Sequence, residues 1–344
     1  MSRFSARWRA RARVMGHRWG TWRQQWAVER DLERALEGTG PILAGPWVSE
    51  VGYELLYWVP FLRWVKAAYR ITDDRIVVMS RGGTASWYRD ISSRYVEVLE
   101  YAAPEELAAK AAAGDLKQRQ MSDFDRRLVA RVPASDTMHV LHPSLMFRWF
   151  APFWSGDETL GFFERHTRHA RIQPPDVVVP VSLPPDYIAV KFYAARSLGD
   201  TPPVRAQLRS LVEGLSERFP IVQLDTGLGL DEHADLPVEP GGRVTSIAGR
   251  LEASSNLAVQ TRVIAGARMF VGTCGSLAWL APLLGVPTVP VFTDASLLHA
   301  HLHVARRIYR RMGSGLFSPV DLSGLVDAGL RISQADRIAA ARLS

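Results

Sequence analysis

Residues 269–292 have the sequence MFVGTCGSLAWLAPLLGVPTVPVF, in which an apolar run, a corner of small residues and a second apolar run follow one another. The run before the corner has the length of a buried strand, and GSLAWLAPLLG after it is typical of a buried helix. VPTVPVF then predicts another strand. Strands that alternate with helices predict a parallel sheet that is covered on both faces.

The same alternation extends through most of the chain. Apolar runs predict strands at 41–46, 75–80, 94–101, 137–144, 187–193, 220–226, 245–249, 268–273 and 286–292. Helical periodicity is found at 53–69, 104–116, 203–219, 256–267 and 275–285. Pro60 predicts a kink or break in the first of these helices, and Asn256 is suited to cap the fourth. The sequence therefore predicts an α/β fold.

A chain of 344 residues is longer than one hydrophobic core usually serves, so we expect two domains. The stretch RIQPPDVVVPVSLPP at 171–185 is rich in Pro, interrupts the alternation and predicts a linker. We predict a basic, Trp-rich segment at 1–37, Rossmann-like doubly wound domains at 38–170 and 186–325, and a C-terminal helix at 326–344. The two domains are expected to face each other across a cleft.

The first 28 residues carry seven arginines, several tryptophans and no acidic residue. Met15, Trp19, Trp22 and Trp26 fall at helical spacing, which gives an aromatic face beside a basic one. Such a helix can lie on an anionic membrane surface. The alternatives are a flexible basic arm and a helix that packs on the protein through its tryptophans. The segment lacks the apolar core of a signal peptide, so export is not expected.

The remaining composition narrows the possible functions. Net charge is +7, but the rest of the chain shows no basic stripe or recognition motif for nucleic acid. The chain has a single cysteine, Cys274, which excludes an internal disulfide and a Cys-based zinc site. No apolar run is long enough to cross a bilayer.

The small-residue corner VGTCGS at 271–276 lies between a predicted strand end and a predicted helix start. Ligands of open parallel sheets bind beyond the carboxyl ends of the strands. Small residues let backbone N–H groups approach a ligand, and a helix N-terminus favours negative charge. Thr273 and Ser276 add hydroxyl groups. The corner therefore fits a phosphate or diphosphate, although a tight turn with glycine for geometry alone is the simpler explanation.

Two more strand ends in the second half carry polar residues. KFYAARSLGD supplies Lys191 and Arg196, which are candidates for neutralising phosphate charge or are ordinary surface charges. Asp225 and Thr226 end another strand and either contact a ribose or base or simply terminate the strand.

The segment at 256–292 resembles the donor-binding segment of heptosyltransferase-type enzymes and related bacterial polysaccharide glycosyltransferases. GPWVSEVGYELLYWVPFLRWV at 45–65 is similar to a signature of such transferases. The resemblance implies the GT-B fold, a nucleotide-sugar donor held by Thr273, Cys274, Gly275 and Ser276, and catalysis without a metal or other cofactor. The family turn carries Asp, Ser and Gly and then a helical His. This chain has Cys274, Gly275, Ser276 and Trp279 there, so the resemblance does not identify the donor.

Transfer of a sugar also needs a base that deprotonates the acceptor hydroxyl. Glu50 lies in the loop after the first predicted strand and is our first candidate, and Glu54, in the first helical turn, is the second. His139 and His142 are less favoured, because a His in an apolar strand is more often a core residue.

No compact Asp-x-Asp motif suited to a metal is present, and DEHAD at 231–235 equally suits a solvated loop. His299 and His303 share a helical face that either binds zinc or, as we favour, faces solvent.

The leading hypothesis is a metal-independent glycosyltransferase that transfers a sugar from a nucleotide-sugar donor, bound in the second domain, to a glycan or lipid-linked acceptor, bound in the first. We expect it in the cytoplasm, with contact to the inner face of the membrane through residues 1–28. A nucleotide-sugar epimerase is one alternative, and it would need further acids and bases around the sugar. A non-catalytic nucleotide- or glycan-binding protein with the same fold is the other.

Overall fold

A computed structural model describes residues 25–113, 117–230, 233–238, 243–313 and 317–326. These residues form two parallel β-sheets, each covered by helices. The four-stranded sheet and its helices are called the first lobe, and the six-stranded sheet and its helices the second lobe.

The first lobe has the strand order β3-β2-β1-β4, and every neighbouring pair is parallel. Its strands are β1 (Ile42–Ala44), β2 (Ile76–Ser80), β3 (Arg94–Glu97) and β4 (His139–Leu141). Its helices are α1 (25–36), α2 (Val51–Tyr53), α3 (Val59–Ala68), α4 (Pro104–Ala112), α5 (Asp123–Arg131), α6 (Ser144–Trp154) and α7 (Leu160–Arg165).

The second lobe has the strand order β10-β9-β8-β5-β6-β7, again with parallel neighbours. Its strands are β5 (Ile188–Lys191), β6 (Ile221–Gln223), β7 (Val244–Ser246), β8 (Met269–Thr273), β9 (Thr288–Phe292) and β10 (Val320–Asp321). Its helices are α8 (Pro202–Ser216), α9 (Asn256–Ala265), α10 (Ser276–Leu283) and α11 (His299–Arg311). The strand order reverses between β5 and β8, as in dinucleotide-binding folds. The expected ligand site therefore lies beyond the carboxyl ends of these two strands.

The predicted α/β fold with two doubly wound domains is confirmed, with shorter elements than the sequence suggests. The predicted strand at 94–101 ends at Glu97 and continues as a turn of 3₁₀ helix over Val98–Glu100. Helix α5 was not predicted. Asn256 is the first residue of α9 rather than its cap, which is Ser255. The Asn256 amide instead donates to the Ala253 carbonyl at 2.6 Å.

The chain crosses between the lobes in a segment at 167–187 that contains no helix or strand. The N–H of Arg168 donates to the Pro60 carbonyl of the first lobe at 2.9 Å. The N–H of Ile172 donates to the Leu283 carbonyl of the second lobe at 3.0 Å. The crossing segment thus contains the predicted linker at 171–185, and the predicted domain boundaries remain predictions.

Pro60 shapes the helix that follows β1. Residues Glu54–Trp58 form a π-helical turn between α2 and α3. Pro60 has no N–H to donate to the carbonyl of Leu56, four residues earlier. His169 of the crossing segment donates to that carbonyl instead, at 3.1 Å. The predicted break is therefore a π turn whose spare acceptor is satisfied by tertiary structure.

The two lobes pack directly on each other. A single cluster of buried apolar residues includes Ala44 and Val78 of the first sheet and Ala189 and Phe270 of the second. The Trp87 indole N–H also donates across the interface to a buried threonine at 3.1 Å. The cleft between the lobes is therefore closed at its base by a common core.

Both termini extend beyond the described residues. The predicted C-terminal helix lies outside them after residue 326, as do residues 1–24 of the basic segment. Helix α1 packs on the first lobe through buried Val28, Leu32 and Leu36, whereas Trp26 is 52% exposed. Helix α1 thus packs through aliphatic side chains and not through Trp26. Within the described ranges, no helix has the length and apolarity to cross a membrane.

Candidate functional site

Two cavities lie between the lobes at the carboxyl ends of the strands, and Tyr193, His233 and Ser276 line both of them. The larger, called the main cavity, has a volume of about 280 Å³. Its polar and aromatic lining is Glu50, Tyr53, Lys117, Tyr193, Arg196, Ser197, His233, Cys274, Ser276, Trp279 and His301. The smaller, called the side cavity, has a volume of about 50 Å³ and includes Arg81, Lys191, Thr226, Asp235, Asn256 and Gln260 in its wall.

The small-residue corner forms one wall of the main cavity. Strand β8 ends at Thr273, and α10 begins at Ser276. Gly275 has φ 153° and ψ −169°, a conformation that essentially only glycine adopts. A Cβ atom there would lie 2.4 Å from the Tyr193 hydroxyl oxygen. The corner therefore requires glycine both for its backbone angles and for the approach of Tyr193.

The hydroxyl of Thr273 holds the corner in place. It accepts a hydrogen bond from the Tyr193 N–H at 2.9 Å and donates to the Tyr193 carbonyl at 3.1 Å. These bonds tie the end of β8 to the segment after β5. Thr273 is buried and does not line either cavity, whereas Ser276 lines both. Of the two predicted hydroxyl groups, the structure brings that of Ser276 to the cavities.

Cys274 also lines the main cavity but is largely buried. Burial raises the pKa of its thiol to about 12. The thiol is therefore neutral at physiological pH, and its contribution to the corner is one of size and not of charge.

Glu50 faces the corner from the first lobe. It lies at the N-cap position of α2, is partly exposed and lines the main cavity. A Cβ atom on nearby Gly52 would lie 3.2 Å from the backbone nitrogen of Ser276. The N-termini of α2 and α10 thus approach each other across the interface. This arrangement brings Glu50 and the corner at 274–276 to one cavity.

Glu54 has a different environment, although it is only four residues away. It is fully buried and lines neither cavity. Its Oε1 accepts hydrogen bonds from the Ser80 hydroxyl at 2.6 Å and from the Tyr88 hydroxyl, and its Oε2 has no partner among the described residues. Burial raises the pKa of Glu54 to about 7. A carboxyl placed this way does not reach an acceptor in the cavity.

The two side chains predicted to neutralise phosphate charge, Lys191 and Arg196, have different surroundings. Arg196 lines the main cavity. Lys191 lines the side cavity, where its Nζ lies 2.5 Å from Oδ1 of Asp235 and donates to the Leu224 carbonyl at 3.1 Å. The charge of Lys191 is therefore already balanced by a carboxylate. That carboxylate belongs to DEHAD at 231–235, for which the sequence left both a metal motif and a solvated loop open.

Asp225 and Thr226 follow β6. Asp225 is buried, accepts a hydrogen bond from the Gln223 amide and has a pKa raised to about 6, mainly by burial. Thr226 lines the side cavity, and its N–H donates to Oδ2 of Asp235 at 2.8 Å. The structure thus brings Thr226, but not the Asp225 side chain, to a cavity wall.

Sequence interpretation missed His301. This residue of α11 lies between Tyr53 and Tyr57, with Nδ1 2.6 Å from the Tyr57 hydroxyl oxygen. Burial, followed by the nearby charge of Lys117, lowers the pKa of His301 to about 4, so the ring is neutral. In the stretch HAHLHVARR at 299–307, helical spacing does put His301 on a different face from His299 and His303. What the motif could not show is that this face packs on the first lobe.

The other histidines that the sequence suggests as candidates, at 139, 142, 299 and 303, line neither of the two cavities. His299 and His303 are exposed, and no group of three or more metal-ligating side chains occurs among the described residues. His142 is buried, and its Nδ1 accepts from the Ser144 N–H at 3.1 Å, as expected of a core histidine. His139 lies on β4 and lines neither cavity.

Comparison of the whole fold finds distant likenesses among solved structures. E. coli heptosyltransferase WaaC with ADP has 15% identity over 86% of this chain and 99% of its own, with a TM-score of 0.45. A family 9 glycosyl transferase from Veillonella parvula has 10% identity over 74% and 81%, with a TM-score of 0.42. E. coli ADP-heptose LPS heptosyltransferase II has 13% identity over 74% and 84%, with a TM-score of 0.38.

No protein-family model matches the chain, and no curated protein matches it. The structural likenesses are distant, so the activity considered next rests on the residues of this chain.

Proposed function

We propose that the protein is a metal-independent glycosyltransferase that transfers a sugar from a nucleotide-sugar donor to a glycan or lipid-linked acceptor. The observation that carries this proposal is one cavity built by both lobes. The first lobe contributes the carboxylate of Glu50, and the second contributes the glycine corner at 274–276 and the cation Arg196. These are the parts that sugar transfer between two bound substrates requires.

The donor diphosphate lies in this proposal against the N-terminus of α10. Backbone N–H groups at the start of a helix and the helix dipole favour an anion there. Arg196 lines the same cavity and neutralises part of the charge that develops on the leaving group. Side chains thus supply the positive charge that a divalent cation supplies in other transferases, and no cofactor is required.

Glu50 acts as the base in this proposal. Its carboxylate accepts the proton of the acceptor hydroxyl while that oxygen bonds to the anomeric carbon. The bond from the anomeric carbon to the phosphate oxygen breaks, and the nucleoside diphosphate departs with the bonding electrons. Glu50 lies on the first lobe, so the acceptor occupies that side of the cavity, where Tyr53 and Lys117 also lie.

Calorimetry with UDP, GDP and ADP, followed by transfer and hydrolysis assays with the sugar conjugate of the tightest binder, tests the proposal. We expect Glu50→Gln to bind the nucleotide normally and to lose about 10²- to 10⁴-fold in turnover, because a general base contributes that much. The exposed Glu105 on α4 provides the matched control Glu105→Gln, which should keep full turnover.

Turnover should also survive treatment with EDTA. Nucleotide binding without any turnover of the sugar conjugate would favour a non-catalytic nucleotide-binding protein. Full turnover by Glu50→Gln would remove Glu50 as the base.

We also propose that the protein works in the cytoplasm and contacts the inner face of the membrane through residues 1–28, whose seven arginines and tryptophans suit an anionic surface. Co-sedimentation with phosphatidylglycerol vesicles but not with phosphatidylcholine vesicles is expected, and deletion of residues 1–24 should abolish it. Equal sedimentation of the deletion variant would contradict this proposal.

A further inference from the structure

A buried cation on the first lobe has no role in the function proposed so far. Arg81 directly follows β2, is only 3% exposed, and lines the side cavity between the lobes. Its Nη2 donates to the Ser49 carbonyl at 3.1 Å. Within the described ranges, no carboxylate forms an ion pair with its guanidinium. A buried charge without a partner is unfavourable, so this arrangement calls for an explanation.

The nearby carboxyl of Glu54 compensates Arg81 only in part. Burial raises the pKa of Glu54 to about 7, even though the charge of Arg81 acts to lower it. At neutral pH a large fraction of Glu54 is therefore protonated and carries no charge. Its Oε1 is also already used by Ser80 and Tyr88. An anion bound in the side cavity would supply the rest of the counter-charge for the guanidinium.

The loop that carries Arg81 is held by contacts to both lobes. The N–H groups of Gly82 and Gly83 donate to the carboxylate of Glu97 at 2.9 and 2.8 Å. From the second lobe, the N–H of Ala258 donates to the Gly82 carbonyl at 3.0 Å. A Cβ atom on Gly82 would lie 2.9 Å from side-chain atoms of Leu257. The guanidinium is thus positioned in advance where the second lobe meets the first.

The side cavity has the size and polarity for one oxyanion group. A cavity holds one water in about 10–15 Å³, so its volume of about 50 Å³ suits a phosphate and not a nucleoside. Ser276, the first residue of α10, lines it opposite the first lobe. Gln260 is 3% exposed, and its Oε1 has no partner among the described residues. A phosphate with a sugar hydroxyl beside it would satisfy both the cation and this acceptor.

We propose that the side cavity binds one phosphate of the donor and that Arg81, from the acceptor lobe, neutralises it. This inference rests on the proposed function and extends it. Lys191 is the cation that the sequence suggests for this task, but Asp235 already balances its charge at 2.5 Å. Arg81 is the wall cation of the side cavity with no such partner in the described part of the chain. A phosphate held by Arg81 and the start of α10 would also bridge the two lobes.

The test compares nucleoside and nucleoside diphosphate binding to Arg81→Gln by calorimetry, using whichever of UDP, GDP and ADP binds the wild type most tightly. We expect the diphosphate affinity to fall about 10- to 100-fold, because a hydrogen-bonded charge is lost, while the affinity for the free nucleoside stays unchanged. Arg81→Lys keeps the charge but loses the planar fork, so a smaller loss is expected. The exposed Arg268, paired with Asp186, provides the control Arg268→Gln.

A folded Arg81→Gln protein that binds the diphosphate as tightly as the wild type would overturn the inference and leave the proposed function intact. If no nucleotide binds at all but pyrophosphate binds in an Arg81-dependent way, the proposed function fails and the anion site remains. Should both Arg81 variants fail to fold, pyrophosphate must still raise the melting temperature of the wild-type protein. Absence of that shift would also overturn the inference.

Discussion

At the scale of single residues, the two candidate bases show how strongly its surroundings determine the exposure and the protonation of a carboxyl group. Glu50 lies at the N-cap position of a short helix and lines the main cavity, whereas Glu54 is fully buried and accepts hydrogen bonds from Ser80 and Tyr88. Burial without a full charge partner favours the protonated form of Glu54. Two glutamates of one loop-to-helix segment therefore have different environments, one at the cavity wall and one in the core.

The raised pKa of Glu54 predicts a pH dependence of stability. The unfolded chain releases this proton near pH 4.5, but the folded protein keeps it until about pH 7. The folded state thus binds more protons in this window, so the free energy of unfolding falls as pH rises through it. The fall due to Glu54 is about 3 kcal/mol between pH 4.5 and pH 8.

Urea denaturation of the wild type and Glu54→Gln across this pH range measures the effect. The difference in unfolding free energy, wild type minus variant, should decrease with rising pH, because groups common to both proteins cancel. A difference that stays constant with pH would show that Glu54 has an ordinary pKa.

At the scale of elements, the junction of β8 and α10 depends on one glycine. Gly275 adopts an angle pair that is strained for other residues, and the Tyr193 hydroxyl occupies the space of a side chain. Thr273 ties the same Tyr193 backbone to the end of β8. Strand, corner and helix start are therefore fixed as one unit, as the proposed anion site at the start of α10 requires.

Gly275→Ala should lower the free energy of unfolding by about 1–3 kcal/mol from backbone strain, and should weaken nucleoside diphosphate binding. Tyr193→Phe in the same chain should recover part of the stability, because the hydroxyl oxygen that clashes is removed. Gly214→Ala is the control: nothing lies within 4 Å of a Cβ there. It lies in α8, so a gain of about 0.5–1 kcal/mol is expected. Urea denaturation and calorimetry measure both effects, and an unchanged Gly275→Ala protein would refute the assignment of the corner.

At the scale of the whole molecule, the lobes share a core. The cluster that joins them includes residues from one face of each sheet and residues of the helices α9 and α10. Leu257 of α9 packs against the glycine loop after β2, and the Trp87 indole bonds to Thr261 of α9. The two lobes have separate sheets, but their shared core couples the stability of one lobe to that of the other.

Thermal unfolding should accordingly show one cooperative transition. Among the described residues, tryptophans are concentrated in the first lobe and Trp279 is the one in the second, so fluorescence reports mainly on the first lobe and circular dichroism on both. We expect the two curves to coincide, and Leu257→Ala, which loses about 2–5 kcal/mol, to shift both equally. Separate midpoints for the two probes would show that the lobes unfold independently.

Local patterns in the sequence predict much of this organisation. Apolar runs of strand length, amphipathic helices and the corner at 271–276 predicted two doubly wound domains and one wall of the site. The break at Pro60 was also expected, because a missing N–H acts within its own helix. These features depend on neighbours a few residues apart, which a single sequence displays.

The tertiary structure alone decided which polar groups face the cavities. Glu50 reaches the main cavity while Glu54 is buried, and Asp235 balances Lys191. Arg81, which no motif marks, and His301, whose helical face the motif does not assign to a partner, reach the interface between the lobes. The physical reason is that burial, charge pairing and pKa depend on contacts between residues far apart in the chain, and these contacts exist only once both sheets have formed and packed.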